Sequence, residues 1–372
     1  MFSSLKMFRF AMLVLLAAPP LARAHDAEMA MNSPDKFNWS MFIKVNAAAA
    51  DGKNRIWETW ADNPSTFPNS PSRTDKPKFP VEAPPRALEV VNQQTLRAAL
   101  LGQNRLRLSP DGSEEVRRNQ ASFDFIVNNN LYFREGIVAA VNSQRAPAFP
   151  PEAIELKAVW KPVDGLPASQ KARYYVNKTK DGREFGLVGL HIMTKAVPNW
   201  TWATFEQADN PGRCDIIGCH DAFGAEKANV KANDAPNKGY PECQHTAALE
   251  KMFTDAGLRD SFWGFYCLKG SQVDFADQSA WGTRLGNSVT EGGFVDTSSC
   301  MSCHARSAFN AAVKAKFSGG FNTDGTGPIG YPDPTTFFNV RQPVKFTDLR
   351  PPYRFLPMDF VWSFLKARSA AQ

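Results

Sequence analysis

The sequence predicts an α+β fold: a β-rich N-terminal lobe with helical insertions, followed by a smaller, mostly helical C-terminal segment. Three observations lead there. Aromatic and β-branched residues alternate with polar ones through the middle of the chain, as they do in half-buried strands. Helix-compatible stretches flank that region on both sides. All six cysteines, at 214, 219, 243, 267, 300 and 303, fall in the C-terminal half of the 372 residues, which sets its chemistry apart.

Residues 1–24 form a targeting segment by pattern. Lys6 and Arg9 precede a short apolar core, "FAMLVLLAAPPL", and Ala22-Arg23-Ala24 supplies a small-x-small cleavage site. The mature chain then begins at His25. No stretch offers the roughly 20 apolar residues that a membrane-spanning helix needs. Removing Lys6, Arg9 and Arg23 lowers the net charge from +6 to +3. So small and scattered a charge argues against nucleic acid as a partner.

From Trp39 to Trp60, "FIKVN" and "RIWETW" suggest extended segments around a turn at Asp51-Gly52. Seven prolines between Pro64 and Pro85 describe a surface excursion. "ALEVVNQQTLRAALLG" reads as a helix closing on Gly102, and "FDFIVNNNLYFREGIVAAVNS" as helix broken at its three asparagines. In "AIELKAVW", Ile154, Leu156, Ala158 and Trp160 share one strand face, with Glu155 and Lys157 on the other. "ARYYVNKTKDGREFGLVGLHIM" predicts a hairpin turning at Asp181-Gly182, and "WTWATFEQ" and "FWGFYCLKGSQVDF" extend the sheet. This lobe spans residues 25–284. In the segment 285–372, "CMSCHARSAFNAAVKAKF" reads as a helix behind capping serines and 318–334 as loop. "MDFVWSFLKARSA" reads as a final amphipathic helix.

Cys300-Met301-Ser302-Cys303-His304 is C-x-x-C-H, the attachment signature of c-type haem. Two thiols one short turn apart reach the two vinyl groups of one porphyrin, and the next residue offers imidazole to the iron. The bland alternative, a redox disulfide, would want a strand before it and a βαβ frame around it. For the sixth ligand the candidate is Met358, just before the last predicted helix. Its apolar neighbours equally suit plain core packing. His191 and Met193, on one face of the "GLHIM" strand, and His245 are the competitors.

Cys214, Cys219 and His220 resemble the same signature with four residues between the thiols, which would hold a second haem c. Asp215 and Asp221 weigh against it, because carboxylates buried beside a porphyrin are costly unless paired. Pro211, Gly212 and Gly218 favour a turn that closes a Cys214–Cys219 disulfide, with Cys243 and Cys267 left for a second. Exchanged pairings among the four remain open at this level.

The stretches "IWETW", "NNNLYFREG", "AIELKAVWKP", "NWTWATFEQADNP", "YCLKGSQVDF", "SCMSCHA" and "DFVWSFLKA" resemble exported bacterial proteins with a cytochrome c segment at the C-terminus. The resemblance runs from about residue 40 to the end. It implies covalent haem at Cys300 and Cys303 with His304 as proximal ligand, one haem per chain, a structural role for the Cys214–Cys219 region, a periplasmic location and electron transfer. The expected function is therefore a periplasmic c-type cytochrome exchanging single electrons with a partner protein or a small donor or acceptor. The alternative is a haem enzyme, such as a peroxidase or small-molecule oxidoreductase, with an open sixth position and with His191, His245 and Glu206 as acid–base candidates.

Overall fold

The computed structural model describes residues 20–84, 89–90, 113–179, 182–233, 237–277, 282–310, 316–317, 326–333 and 355–370. The apolar stretch expected to be a targeting core, most of the helix expected over 87–102, Asp181 and most of the 318–334 loop lie outside those residues. What is described is a mixed architecture built on one eight-stranded antiparallel sheet.

Helices α1 (Pro20–Asn32) and α2 (Pro34–Asn46) come first. Helix α1 runs across the expected cleavage point after Ala24. The stretch read as extended, "FIKVN", lies inside α2, and this corrects the expectation. Pro34 is pre-set for a first helical turn, Asp35 suits the positive end of the helix dipole and Lys44 the negative end. The β-branched and aromatic residues that suggested a strand are instead buried on nearly every side of the helix. Phe37, Trp39, Met41, Phe42, Ile43 and Val45 all belong to one apolar cluster. Tertiary burial thus overrode local propensity.

A 3-10 turn over Ile56–Thr59 leads to strand β1 (Ala61–Asp62), and a single helical turn, α3 (Asn63–Thr66), follows it. Next come β2 (Glu89–Val90) and β3 (Ser113–Arg118), then helices α4 (Gln120–Asn128) and α5 (Arg134–Asn142). The break at the asparagines is as the sequence suggested, and Asn130 there takes a positive φ of 58°. Strand β4 (Ile154–Pro162), the short helix α6 (Ala168–Lys171), β5 (Val176–Lys178), β6 (Glu184–Thr194) and β7 (Thr201–Gln207) build the middle. A two-stranded ribbon, β8 (Cys219–His220) with β9 (Asn229–Val230), precedes helix α7 (Ala247–Asp255) and strand β10 (Tyr266–Gln272). The sheet order is β1-β3-β4-β6-β7-β10, with β2 on β3 and β5 on β6.

The sheet has two unlike faces, and this asymmetry positions everything else. One face carries Leu156, Ala158, Leu190, Ile192, Ala203, Phe205 and Leu268 against α2 and α7. There Phe42 and Trp39 meet Phe205 with ring centroids 4.5 and 5.0 Å apart. The other face carries Glu155, Lys157, His191, Met193, Trp202, Thr204 and Glu206. Cross-strand register aligns Lys157 with His191 and His191 with Thr204. Alternation alone would leave that polar face to water. Instead residues 285–304 lie over it, through Asn287, Ser288 and Thr290.

The C-terminal segment departs from its mostly helical expectation. Helix α8 is a single turn, Cys300–His304, and the chain then enters strand β11 (Ala308–Asn310). That strand pairs with β12 (Lys316–Phe317) and β13 (Leu356–Pro357). The stretch expected as a final amphipathic helix contains only a 3-10 turn, Ser363–Lys366. Asp359 and Phe360 ahead of it adopt positive φ values of 47° and 68°, which a helix cannot contain.

Candidate functional site

Serine 299 caps α8, its hydroxyl accepting from the Ser302 amide at 3.4 Å, as the capping serines promised. Gln272, at the end of β10, fixes the same turn from the sheet. Its carbonyl accepts from the Met301 amide at 2.9 Å and its amide donates to Ser299 Oγ at 2.9 Å. Cys300, Cys303 and His304 are thus presented on one short turn anchored to the polar face of the sheet.

The imidazole of His304 is tied by Nδ1 to the Phe360 carbonyl, 2.8 Å away. With Nδ1–H committed to a backbone acceptor, Nε2 keeps the lone pair that a metal would take. Burial, partly opposed by the Phe360 hydrogen bond, pushes the histidine down to about 4, so the ring is neutral at physiological pH. Trp202 packs its ring against it, with centroids 4.6 Å apart. Burial drives the Cys303 thiol up to about 12 and Cys300 well above its ordinary value. A reactive dithiol of the redox-disulfide kind needs the opposite shift.

The other four cysteines are joined in two pairs. Cys214 bonds Cys219 and Cys243 bonds Cys267, with Cα separations of 5.1 and 5.7 Å. Cys214 and Cys219, considered with His220 for a second haem, are therefore spent on each other. His220 lies outside on the ribbon, its Nδ1 paired with Asn229 Oδ1 at 2.7 Å. The two aspartates that argued against a haem are buried and fully partnered. Asp215 accepts from Asn233, Tyr240 and the Lys238 amide. Asp221 accepts from Trp39 Nε1 at 2.8 Å and from the Gly224 amide at 2.6 Å.

The remaining candidates scatter. Met358 is buried in the second apolar cluster, and its amide donates to the Ser307 carbonyl at 2.8 Å. It stands two residues before the carbonyl that takes His304 Nδ1. His245 stacks on Phe253 and pairs with Glu250, within the apolar cluster on the far face of the sheet. His191 does share the face of α8, but its Nε2 is paired with Thr290 Oγ1 at 3.1 Å. Burial, then Lys157, His304 and Lys269, hold it well below its usual pKa. Glu206 is fully buried and accepts from the Ser288 amide at 2.8 Å, from the Ser288 hydroxyl and from Asn210, with Lys269 Nζ 3.4 Å away. Such a carboxylate is a fastening, not an available base.

Trp202, Gln272 and the Phe360 carbonyl were not singled out from sequence. Trp202 was legible only as one aromatic among many. Gln272 and a main-chain carbonyl carry no signal until the chain is folded.

No family model, curated protein or solved structure matches this chain. Among the described residues no helix is long and apolar enough to cross a membrane.

Proposed function

We propose that this chain is an exported c-type cytochrome that carries single electrons through one haem attached at Cys300 and Cys303. The observation that supports it best is the hydrogen bond from His304 Nδ1 to the Phe360 carbonyl, which leaves Nε2 as the nitrogen with the lone pair on a C-x-x-C-H turn. The raised thiols, and the lack among the described residues of a βαβ frame around α8, support it further. Two disulfides agree with an oxidising compartment, hence with cleavage after Ala24 and a periplasmic location.

When bound, the haem would supply the one-electron couple. The chain's own residues do the rest. Cys300 and Cys303 would tether the group, and His304 would offer Nε2 to the iron. The Phe360 carbonyl fixes the tautomer and raises the basicity of the ring, while Trp202 excludes water from it. The haem-enzyme alternative draws less support, because Glu206 and His245 are both committed elsewhere.

A pyridine haemochrome assay set against intact mass tests the proposal. One haem per chain is expected, lost on Cys300→Ala with Cys303→Ala. No haem in protein exported alongside a haem-attachment system would overturn it, and two per chain would overturn the disulfide at Cys214 and Cys219. Replacing His304 by Gly should leave the attached haem but change its spectrum, with added imidazole restoring it.

A further inference from the structure

We propose that Glu291 is a proton-binding site coupled to the redox group: its carboxylate takes up one proton as an electron arrives and releases it as the electron leaves. The proposal rests on the cytochrome reading above and deepens it, since the chain then moves a proton with its electron.

Glu291 lies on the segment that covers the polar face of the sheet. The Asn287 amide donates to its Oε2 at 2.6 Å. The turn so closed is tied to β7, with Asn287 Nδ2 donating to Thr204 Oγ1 at 3.0 Å and the Ser288 amide to Glu206 at 2.8 Å. Two residues before Asn287, the Leu285 carbonyl accepts from Cys300 Sγ at 3.5 Å. One segment therefore holds both the carboxylate and the first attachment cysteine. The Glu291 charge reaches both thiols, and after burial it does most to raise Cys300 and Cys303. A group joined to those two sulfurs would lie beside this carboxylate.

Charged and titratable groups meet Glu291 from each element packed around it. Strand β4 brings Lys157, whose ammonium is held by Glu114 of β3 at 2.7 Å. Strand β10 brings Lys269, paired with Glu206 of β7 at 3.4 Å. Strand β6 brings His191, whose Nε2 stands 4.0 Å from Glu291 Oε2 and is paired with Thr290 Oγ1 at 3.1 Å. That imidazole is kept neutral, chiefly by burial. Just past α8, Arg306 donates to the Ser302 and Gly330 carbonyls. Among the described residues, no lysine or arginine nitrogen stands within 4.0 Å of the Glu291 carboxylate.

A largely buried carboxylate with one amide bond, and with the neighbouring ammonium groups held by other carboxylates, keeps its charge poorly. Burial pushes Glu291 up to about 7; Lys157, the Asn287 amide and Lys269 oppose the rise and Glu114 adds to it. An ordinary glutamate would stay ionised at neutral pH whatever the redox state. The side chain keeps 16% of its surface exposed, which lets water exchange protons with it. An electron arriving at the attachment turn adds one negative charge nearby. That disfavours the charged carboxylate, and a proton passes from water to one of its oxygens. When the electron leaves, the O–H bond breaks and the proton returns to water. The coupling is reciprocal, so a bound proton favours the reduced state. This contribution is fully present at low pH and is lost as pH rises through neutral, and the midpoint potential falls with it.

The test uses the haem-loaded full chain. Spectroelectrochemical titration of the wild type should show a midpoint potential that falls from about pH 6 to about pH 8. Glu291→Gln, whose side-chain carbonyl still accepts from the Asn287 amide, should flatten the profile over that range with haem content unchanged. Two further readouts are decisive on the wild type alone. Reduction by hexaammineruthenium(II), which gives an electron and no proton, should draw protons from weakly buffered solution containing a pH dye. A reduced-minus-oxidised infrared difference spectrum should show the carbonyl stretch of a protonated carboxylic acid. Both signals should be lost in Glu291→Gln. A flat wild-type profile, no proton uptake near neutrality, or a slope that persists in Glu291→Gln overturns the proposal while leaving the cytochrome reading intact. Absence of haem overturns both.

Discussion

Single residues carry most of the energetic commitments of this molecule, and the sharpest is Glu206 with Lys269. Both are fully buried, and Lys269 Nζ has the carboxylate as its ion-pair partner at 3.4 Å. Removing one member of a buried pair leaves the other charge uncompensated, which typically costs about 3–5 kcal/mol. Glu206→Gln should lower the midpoint of urea unfolding accordingly, while a double replacement by apolar residues of similar volume should recover much of the loss. A second residue stores strain in the opposite sense. Ile216 is 48% exposed and sits at φ +69°, where a β-branched side chain crowds its own backbone. Ile216→Gly should therefore raise stability by roughly 1 kcal/mol in the same assay, since the strain relieved outweighs the added chain entropy. Unchanged or lower stability would show that the turn depends on that side chain.

At the scale of elements, the loop closed by Cys214 and Cys219 and the longer bridge from Cys243 to Cys267 make separable contributions. The longer bridge, 24 residues apart in sequence, restricts the unfolded chain more. Replacing both of its cysteines by Ser should cost about 3 kcal/mol, against about 2 for the short loop. Equal losses in thermal melts would argue that native packing, not chain entropy, dominates. The short loop also carries a pH dependence through Asp215. Burial raises its pKa, but hydrogen bonds from Tyr240, the Lys238 amide and Asn233 outweigh this and leave it lowered. A carboxylate with a depressed native pKa gives stability that is present above the unfolded value near 4 and is lost as pH falls below it. Hydrogen exchange over 212–240 should accelerate between pH 4 and lower values in the wild type. The Asp215→Asn variant should show no such acceleration, and exchange there should be fast at both ends of the range.

Elements also show where sequence reasoning reached and where it stopped. The strands at 154–162, 184–194 and 201–207 and the helix pair broken at the asparagines were legible, because alternation and turn residues are local signals. "FIKVN" in α2 was not, since its strand-like composition answers to burial between sheet and helices. The final stretch failed for a different reason. Its apolar spacing fits a helix, but the chain must place the Phe360 carbonyl on His304, and two positive φ values accomplish that. Lys157 and His191 illustrate the third case. Their face looked solvated from the alternation, and only packing covered it.

For the whole molecule, the division of labour follows the two faces of one sheet. The apolar face, closed by α2 and α7, holds the lobe together through aromatic contacts. The polar face receives the segment that bears Cys300, Cys303 and His304, fastened through Asn287, Ser288 and Gln272. The sequence by itself determined the C-x-x-C-H spacing on which the proposed attachment rests, because that pattern needs nothing beyond five consecutive residues, and it marked which four cysteines stood outside that motif. Tertiary structure alone decided how those four pair, which nitrogen of His304 takes the Phe360 carbonyl, and that Glu206 and His245 are already partnered. The physical reason is the range of the interactions. Covalent spacing and alternation act over a few neighbours in the chain, whereas the availability of a lone pair, a carboxylate or a thiol depends on partners that only folding brings within hydrogen-bonding distance.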